Sequence, residues 1–162
     1  MHKKTIVVLT LAITVFTFIQ CSKKDSTNTT QTYEAVLKAF GSNIDLNNLA
    51  NYANQTKPAY ITKDNTGSNS ITNAKATLGR VLFYDKNLSV DNSIACASCH
   101  KQEFAFADTA ITSKGVLGGT TARHSMRLIN ARFANEAKFF WDERAATLEI
   151  QTTKPIQDHA EM

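Results

Sequence analysis

An all-α domain with long loops is the architecture expected of this 162-residue chain. No stretch alternates apolar and polar side chains with the period of two that a half-buried strand requires. Apolar residues recur instead at three- and four-residue intervals, in short separate segments. Between these segments lie stretches rich in Asn, Ser, Thr and Gly, which favour turns and loops. The length suits one domain, or one domain behind an export segment.

The elements follow in chain order. A basic start, MHKK, precedes fifteen uncharged and mostly apolar residues, TIVVLTLAITVFTFI, and an abrupt polar exit, QCSKKDSTNTTQT. The apolar run is short for a membrane span of about 20 residues and fits the core of a secretory signal. Cys21 stands at its exit, as the lipid-bearing cysteine does in bacterial lipoprotein signals. Residues 1–20 are therefore expected to be a signal peptide of lipoprotein type, with lipidation at Cys21. The protein would then sit in the periplasm or cell envelope, held to the membrane by its lipid. Ordinary secretion and an uncleaved anchor are the competing readings. Residues 21–32 read as a flexible tether.

Tyr33, Val36, Leu37 and Phe40 fall at i, i+3, i+4 and i+7, one face of a helix, with Gly41 as its C-terminal cap. Residues 42–71, interrupted by Pro58 and Gly67, read as loop with a short helix around Leu46–Tyr52. A second helix is expected from Thr72 or Asn73, either of which caps helices well, with Ala74, Leu78, Val81 and Leu82 on one face. TSKGVLGGTTARH, residues 112–124, is a Gly-rich loop. Asp142 is expected to cap a last helix with Ala145 and Leu148 on its face, Trp141 at its start and Pro155 as its stop.

Composition excludes several classes. The net charge of +4 falls to +2 without residues 1–20, which hold Lys3 and Lys4 and no acid. That balance is too weak for nucleic-acid binding. Three cysteines, two of them in one pentapeptide, do not make a disulfide scaffold.

That pentapeptide, CASCH, carries the chemistry. On one helical turn Cys96 and Cys99 lie on the same face, so both thiols reach one flat molecule. His100 follows at once and projects its ring near that molecule's centre. Two thioether bonds to haem vinyl groups and one imidazole on iron satisfy this arrangement, and C-x-x-C-H is the signature of c-type haem attachment. A zinc site would want a second ligand pair, and only His124 and His159 remain, in no pair. A thioredoxin-like dithiol would want a strand–helix context, which is absent. One covalent haem c is the cofactor expected, and export favours it because c-type attachment occurs outside the bacterial cytoplasm.

LGRVLFYDKNLSVDNSIACASCHKQEFAFAD, RHSMRLINARF and FFWDERAATLEIQTTKPIQDHAEM, in that order, resemble the N-terminal haem domain of bacterial di-haem cytochrome c peroxidases and the related methylamine-utilisation di-haem enzymes. The resemblance covers residues 72–162 and implies a cytochrome c-like haem domain over 33–162. It implies Cys96 and Cys99 as haem attachment points and His100 as the axial iron ligand. Trp141 would correspond to a tryptophan between the two haems, an electron-transfer element. Gln151 and Glu161 would correspond to residues of the peroxide pocket, with Glu161 the proton-transfer carboxylate. As bare residues, Trp141 reads equally as core, Gln151 as an exposed helix position and Glu161 as a solvated one.

Three departures qualify the resemblance. The family carries two C-x-x-C-H sites and this sequence one, so the chain is expected to be part of a longer protein whose second haem domain is missing here. Val116 stands where many members carry a displaceable distal His, which favours an open iron site. His124 replaces an Asn near the family's inter-domain calcium; this counts against calcium and leaves His124 as loop, interface or iron ligand. The leading expectation is an oxidoreductase that reduces hydrogen peroxide with electrons from a small donor such as a cytochrome c. The alternative is a mono-haem electron carrier with His–Met ligation by Met126 or Met162.

Overall fold

The computed structural model describes residues 33–135 and 138–162. The expected signal peptide, Cys21 and the tether lie outside the described residues. Among the described residues four helices form: α1 (Glu34–Phe40), α2 (Asn73–Tyr84), α3 (Cys96–Cys99) and α4 (Leu148–Gln157). Short 3₁₀ turns and loops join them. Among the described residues there is no strand, only three isolated antiparallel bridges, Lys101 with Ala107, Lys114 with Thr120 and Phe139 with Ala145. The all-α expectation holds.

α1 ends on Gly41, whose φ of 58° is the left-handed conformation that suits a glycine cap. α2 starts behind Thr72, whose Oγ1 accepts from the Lys75 amide at 3.2 Å. The helix expected around Leu46–Tyr52 does not form; the Asn47 amide bonds Asp45 Oδ1 at 2.9 Å instead. The amides of Tyr52 and Ala53 donate to Asn73 Oδ1 at 2.9 and 3.0 Å. Arg80 donates to the Asn43 carbonyl at 3.1 Å and to the Tyr52 hydroxyl at 3.2 Å.

The inward face of α2 also differs from expectation. Leu78 is 58 % exposed and Leu82 38 %, whereas Thr77 is buried with its hydroxyl on the Asn73 carbonyl at 2.8 Å. Asn73, Thr77 and Arg80 themselves sit at i, i+4 and i+7. Asn73 and Arg80 bind the 42–53 loop, and Thr77 is buried between them. On another side of α2, Phe83 meets Phe106 edge-on at 5.9 Å.

α4 is capped by Thr147, whose Oγ1 accepts from the Ile150 amide at 3.2 Å, and not by Asp142. Asp142 cannot begin a helix because Phe139 and Ala145 exchange amide-to-carbonyl bonds at 2.7 and 3.2 Å, which closes residues 139–145 into a loop. Phe140 and Glu143 turn it with φ of 68° and 57°. Pro155 does not stop the helix but lies within it. There it forfeits the i→i−4 bond that a residue at this position would donate to Gln151.

Residues 57–71 are tied to the rest of the domain. Asp64 pairs with Arg132 at 2.8 Å, and Asn65 donates to the carbonyls of Ala131, Arg132 and Ala134. The buried apolar residues are mostly small: Ala95, Ala107, Ala145, Val116, Ile44 and Met162.

Candidate cofactor site

α3 is one turn long. The Ala95 amide donates to Ser98 Oγ at 3.0 Å, the Ser98 amide to the Ala95 carbonyl at 2.9 Å, and the His100 amide to the Cys96 carbonyl at 2.9 Å. The turn sets Cys96 and Cys99 at i and i+3, and both thiols are free. Burial pushes both thiols up from their ordinary value; for Cys99 the charges of Asp108 and Glu161 push the same way. Both are therefore held as neutral S–H groups, and the Cys99 thiol faces the Lys114 carbonyl at 3.7 Å.

His100 is oriented from behind. Its Nδ1 lies 2.8 Å from the Phe106 carbonyl and 3.1 Å from Ser125 Oγ. Burial lowers its pKa, which keeps the ring neutral. A neutral ring that donates Nδ1–H to a carbonyl carries its lone pair on Nε2, the arrangement of a metal-binding histidine. The Phe106 carbonyl is aimed by the bridge between Lys101 and Ala107 and by two consecutive left-handed residues, Ala105 at φ 59° and Phe106 at φ 58°. Non-glycine residues at such angles are strained, and the turn that orients the histidine is where that strain is spent.

The buried carboxylate of Asp108 braces this region. It accepts from Lys101 Nζ at 2.7 Å, Ser113 Oγ at 2.8 Å and the Thr109 amide at 2.7 Å. Ser113, fully buried, donates its own amide to Thr121 Oγ1 at 2.9 Å. No periodicity or motif in the sequence pointed to Asp108, Ser113, Thr121 or the Phe106 carbonyl.

A cavity of about 520 Å³ opens beside His100, within the range of cofactor sites. Cys99, Met126, Trp141, Gln151 and Glu161 also line it. The structure thus gathers residues spread over sixty positions of sequence. Trp141 is 59 % exposed rather than core, and its Nε1 donates to the His124 carbonyl at 2.9 Å. Gln151 is half-buried on α4. Burial, with the nearby charge of Asp158, raises the Glu161 pKa, and Arg144 opposes the rise. Arg144 itself is placed by Asp142 at 2.8 Å and by the Phe140 ring, 3.6 Å from its centroid. His124 lines the cavity with its Nδ1 on the Ala110 carbonyl at 2.8 Å. Val116 and Met162 are buried and do not line it. Among the described residues, no group of three or more His, Cys, Asp or Glu converges as a metal-ion site.

The donor set fits a c-type haem: two thiols on one turn, an imidazole anchored through Nδ1, and a cavity lined by Cys99 and His100. Residues 73–162 match the family described as di-haem cytochrome c peroxidase. The chain is 36 % identical over 95 residues to the methylamine utilization protein MauG of Methylophilus methylotrophus, covering 59 % of this chain and 28 % of that one. It is 39 % identical over 88 residues to cytochrome c peroxidase Ccp of Escherichia coli, covering 54 % and 18 %. Among solved structures, it is similar to a MauG-like protein associated with microbial copper homeostasis, with a TM-score of 0.60 and 33 % identity over 66 % of this chain and 31 % of that one. The diheme peroxidase BthA of Burkholderia thailandensis gives a TM-score of 0.52 at 28 % identity, over 59 % of this chain and 28 % of that one. The chain thus spans less than a third of the length of each of these relatives.

Proposed function

Because the chain belongs to the di-haem cytochrome c peroxidase family, we propose that residues 33–162 form a peroxide-reactive haem domain that reduces hydrogen peroxide with electrons from a small donor protein such as a cytochrome c. The observation that carries this reading is the convergence of His100, Gln151 and Glu161 on one cavity. Cys96 and Cys99 would hold one haem c by thioether bonds, and His100 Nε2 would take its iron. The bound haem supplies electron delivery to the peroxide O–O bond.

The chain's own residues supply positioning and proton transfer. Hydrogen peroxide, two electrons and two protons give two waters, so one proton must move from one peroxide oxygen to the other. Glu161 is the carboxylate placed to carry it. Its raised pKa brings it nearer the working pH of a general acid–base catalyst. Gln151 holds peroxide through an amide that does not titrate. Trp141, exposed at the rim, is the element through which electrons enter. No histidine stands at position 116, and Val116 is packed in the core, which supports an iron site open to peroxide.

Glu161→Gln tests the reading. It keeps the shape and removes the proton carrier, and such help is typically worth about 10²–10⁴-fold. The ferric haem protein should be largely high-spin, bind cyanide quickly, and lose at least about tenfold in its peroxide reaction on this substitution. An unchanged rate sinks the catalytic assignment. Met126 on the cavity wall is the one observation that favours a His–Met electron carrier. A low-spin, peroxide-inert protein with a far-red methionine–iron band would establish that function instead.

A further inference from the structure

Position 115 is glycine for reasons of space. Its backbone, at φ −107° and ψ −166°, is open to any residue. A Cβ there would overlap the Ala160 carbonyl oxygen and stand 2.9 Å from the Ala160 carbonyl carbon and 3.4 Å from Glu161 Cα. Gly119 approaches the same group less closely: its Cβ would lie 3.4 Å from the Ala160 oxygen and 3.1 Å from the Val116 oxygen.

Neither side of this contact has slack. The 115–119 loop is closed by Gly115 N to Gly119 O at 2.9 Å and Gly119 N to Val116 O at 2.8 Å, and Val116 is 1 % exposed. Residues 158–162 are turned by the amides of Glu161 and Met162 on the Asp158 carbonyl, both at 3.1 Å, and by the Ala160 amide on Asp158 Oδ1 at 2.8 Å. The Val90 amide then ties the segment down through the Met162 carbonyl at 2.7 Å.

We propose that Gly115 is a positioning residue for Glu161: the missing side chain lets residues 158–162 seat backbone-on-backbone against the Gly-rich loop, with the Glu161 carboxyl facing the cavity. This rests on the proton-carrying role of Glu161. Any side chain at 115 pushes Ala160 away and takes Glu161 with it, while Cys96, Cys99 and His100 stay in place.

The test uses the haem-loaded full chain and four variants: Gly115→Ala, Gly119→Ala, Glu161→Gln and the Gly115→Ala/Glu161→Gln double variant. Gly79→Ala, where a Cβ meets nothing within 4 Å, is the control. Gly115→Ala should slow the peroxide reaction at least about tenfold, as Glu161→Gln does, with cyanide binding unchanged within about twofold. The double variant should be no slower than Glu161→Gln alone. In Gly115→Ala the Val90 and Glu161 amides should exchange hydrogen faster, while the Phe139 and Ala145 amides stay protected. Gly119→Ala should move the same readouts less, and Gly79→Ala none of them. A double variant slowed by the full product of the two single effects overturns the proposal, as does unchanged exchange at Val90. A slow Glu161→Gln beside a full-rate Gly115→Ala also overturns it. A full-rate Glu161→Gln overturns the proton-carrier reading beneath it. If Gly115→Ala takes up no haem, Gly119→Ala decides: unchanged rate and unchanged Val90 exchange overturn the proposal.

Discussion

Asp108 is a buried carboxylate outside the cavity, bonded to the residue directly after His100. The Lys101 ammonium, followed by the Ser113 hydroxyl and the Thr109 and Ala110 amides, holds its carboxyl well below the ordinary range, against the cost of burial. A carboxyl depressed on folding adds stability that is complete above its unfolded value, near 3.8, and is lost as the pH falls below it. Asp108→Asn should therefore cost on the order of 1–3 kcal/mol near neutral pH, and the gap to wild type should narrow on acidification; urea melts at two pH values check both. The attachment residues make a second prediction at this scale. Cys96→Ser or Cys99→Ser should leave one thioether bond, and the double variant should release its haem on acid–organic extraction. Haem retained by the double variant would contradict the attachment assignment. The placement of Cys96 and Cys99 on one turn, with His100 directly behind it, was legible in the sequence because spacing fixes it. The carbonyl that orients His100 was not, since a backbone oxygen has no letter in the sequence and Phe106 reads as a core aromatic.

At the scale of elements, the helices were legible where a cap or a glycine marks them, as at Thr72 and Gly41. They were misjudged where a polar side chain outcompeted apolar periodicity. On α2, Asn73 and Arg80 bind the 42–53 loop, while Leu78 and Leu82 stay exposed. A direct comparison follows. Leu78→Gln should alter stability by no more than about 0.5 kcal/mol, as surface substitutions do. Asn73→Ala strips two loop amides of their acceptor and should cost about 1–2 kcal/mol. Thermal melts of the two variants would reverse this order if the apolar face were the buried one. Asp142 failed as a cap for a similar reason: its carboxylate is engaged by Arg123 at 2.6 Å and Arg144 at 2.8 Å, and the Phe139–Ala145 bridge closes the backbone around it.

The molecule as a whole was legible as a helical haem domain but not as a set of packed layers, since loops bonded to side chains make up much of it. Its cellular address rests on residues before Tyr33. We propose that Cys21 carries lipid; a fatty-acid analogue should label the wild type and not Cys21→Ser, and an unlabelled wild type would point to ordinary secretion. The three bridges have a kinetic consequence. Each joins residues six apart: 101 with 107, 114 with 120, and 139 with 145. Loops of this size close in about 10–100 ns, long before distant segments meet. One aims the Phe106 carbonyl, one presents Gly115, and one carries Arg144. The parts of the site would then be preassembled as independent local closures, and the slow event in folding would be their mutual docking. Lesions within any one loop should leave the other two able to form, so defects should appear as late failures of assembly rather than early failures of collapse.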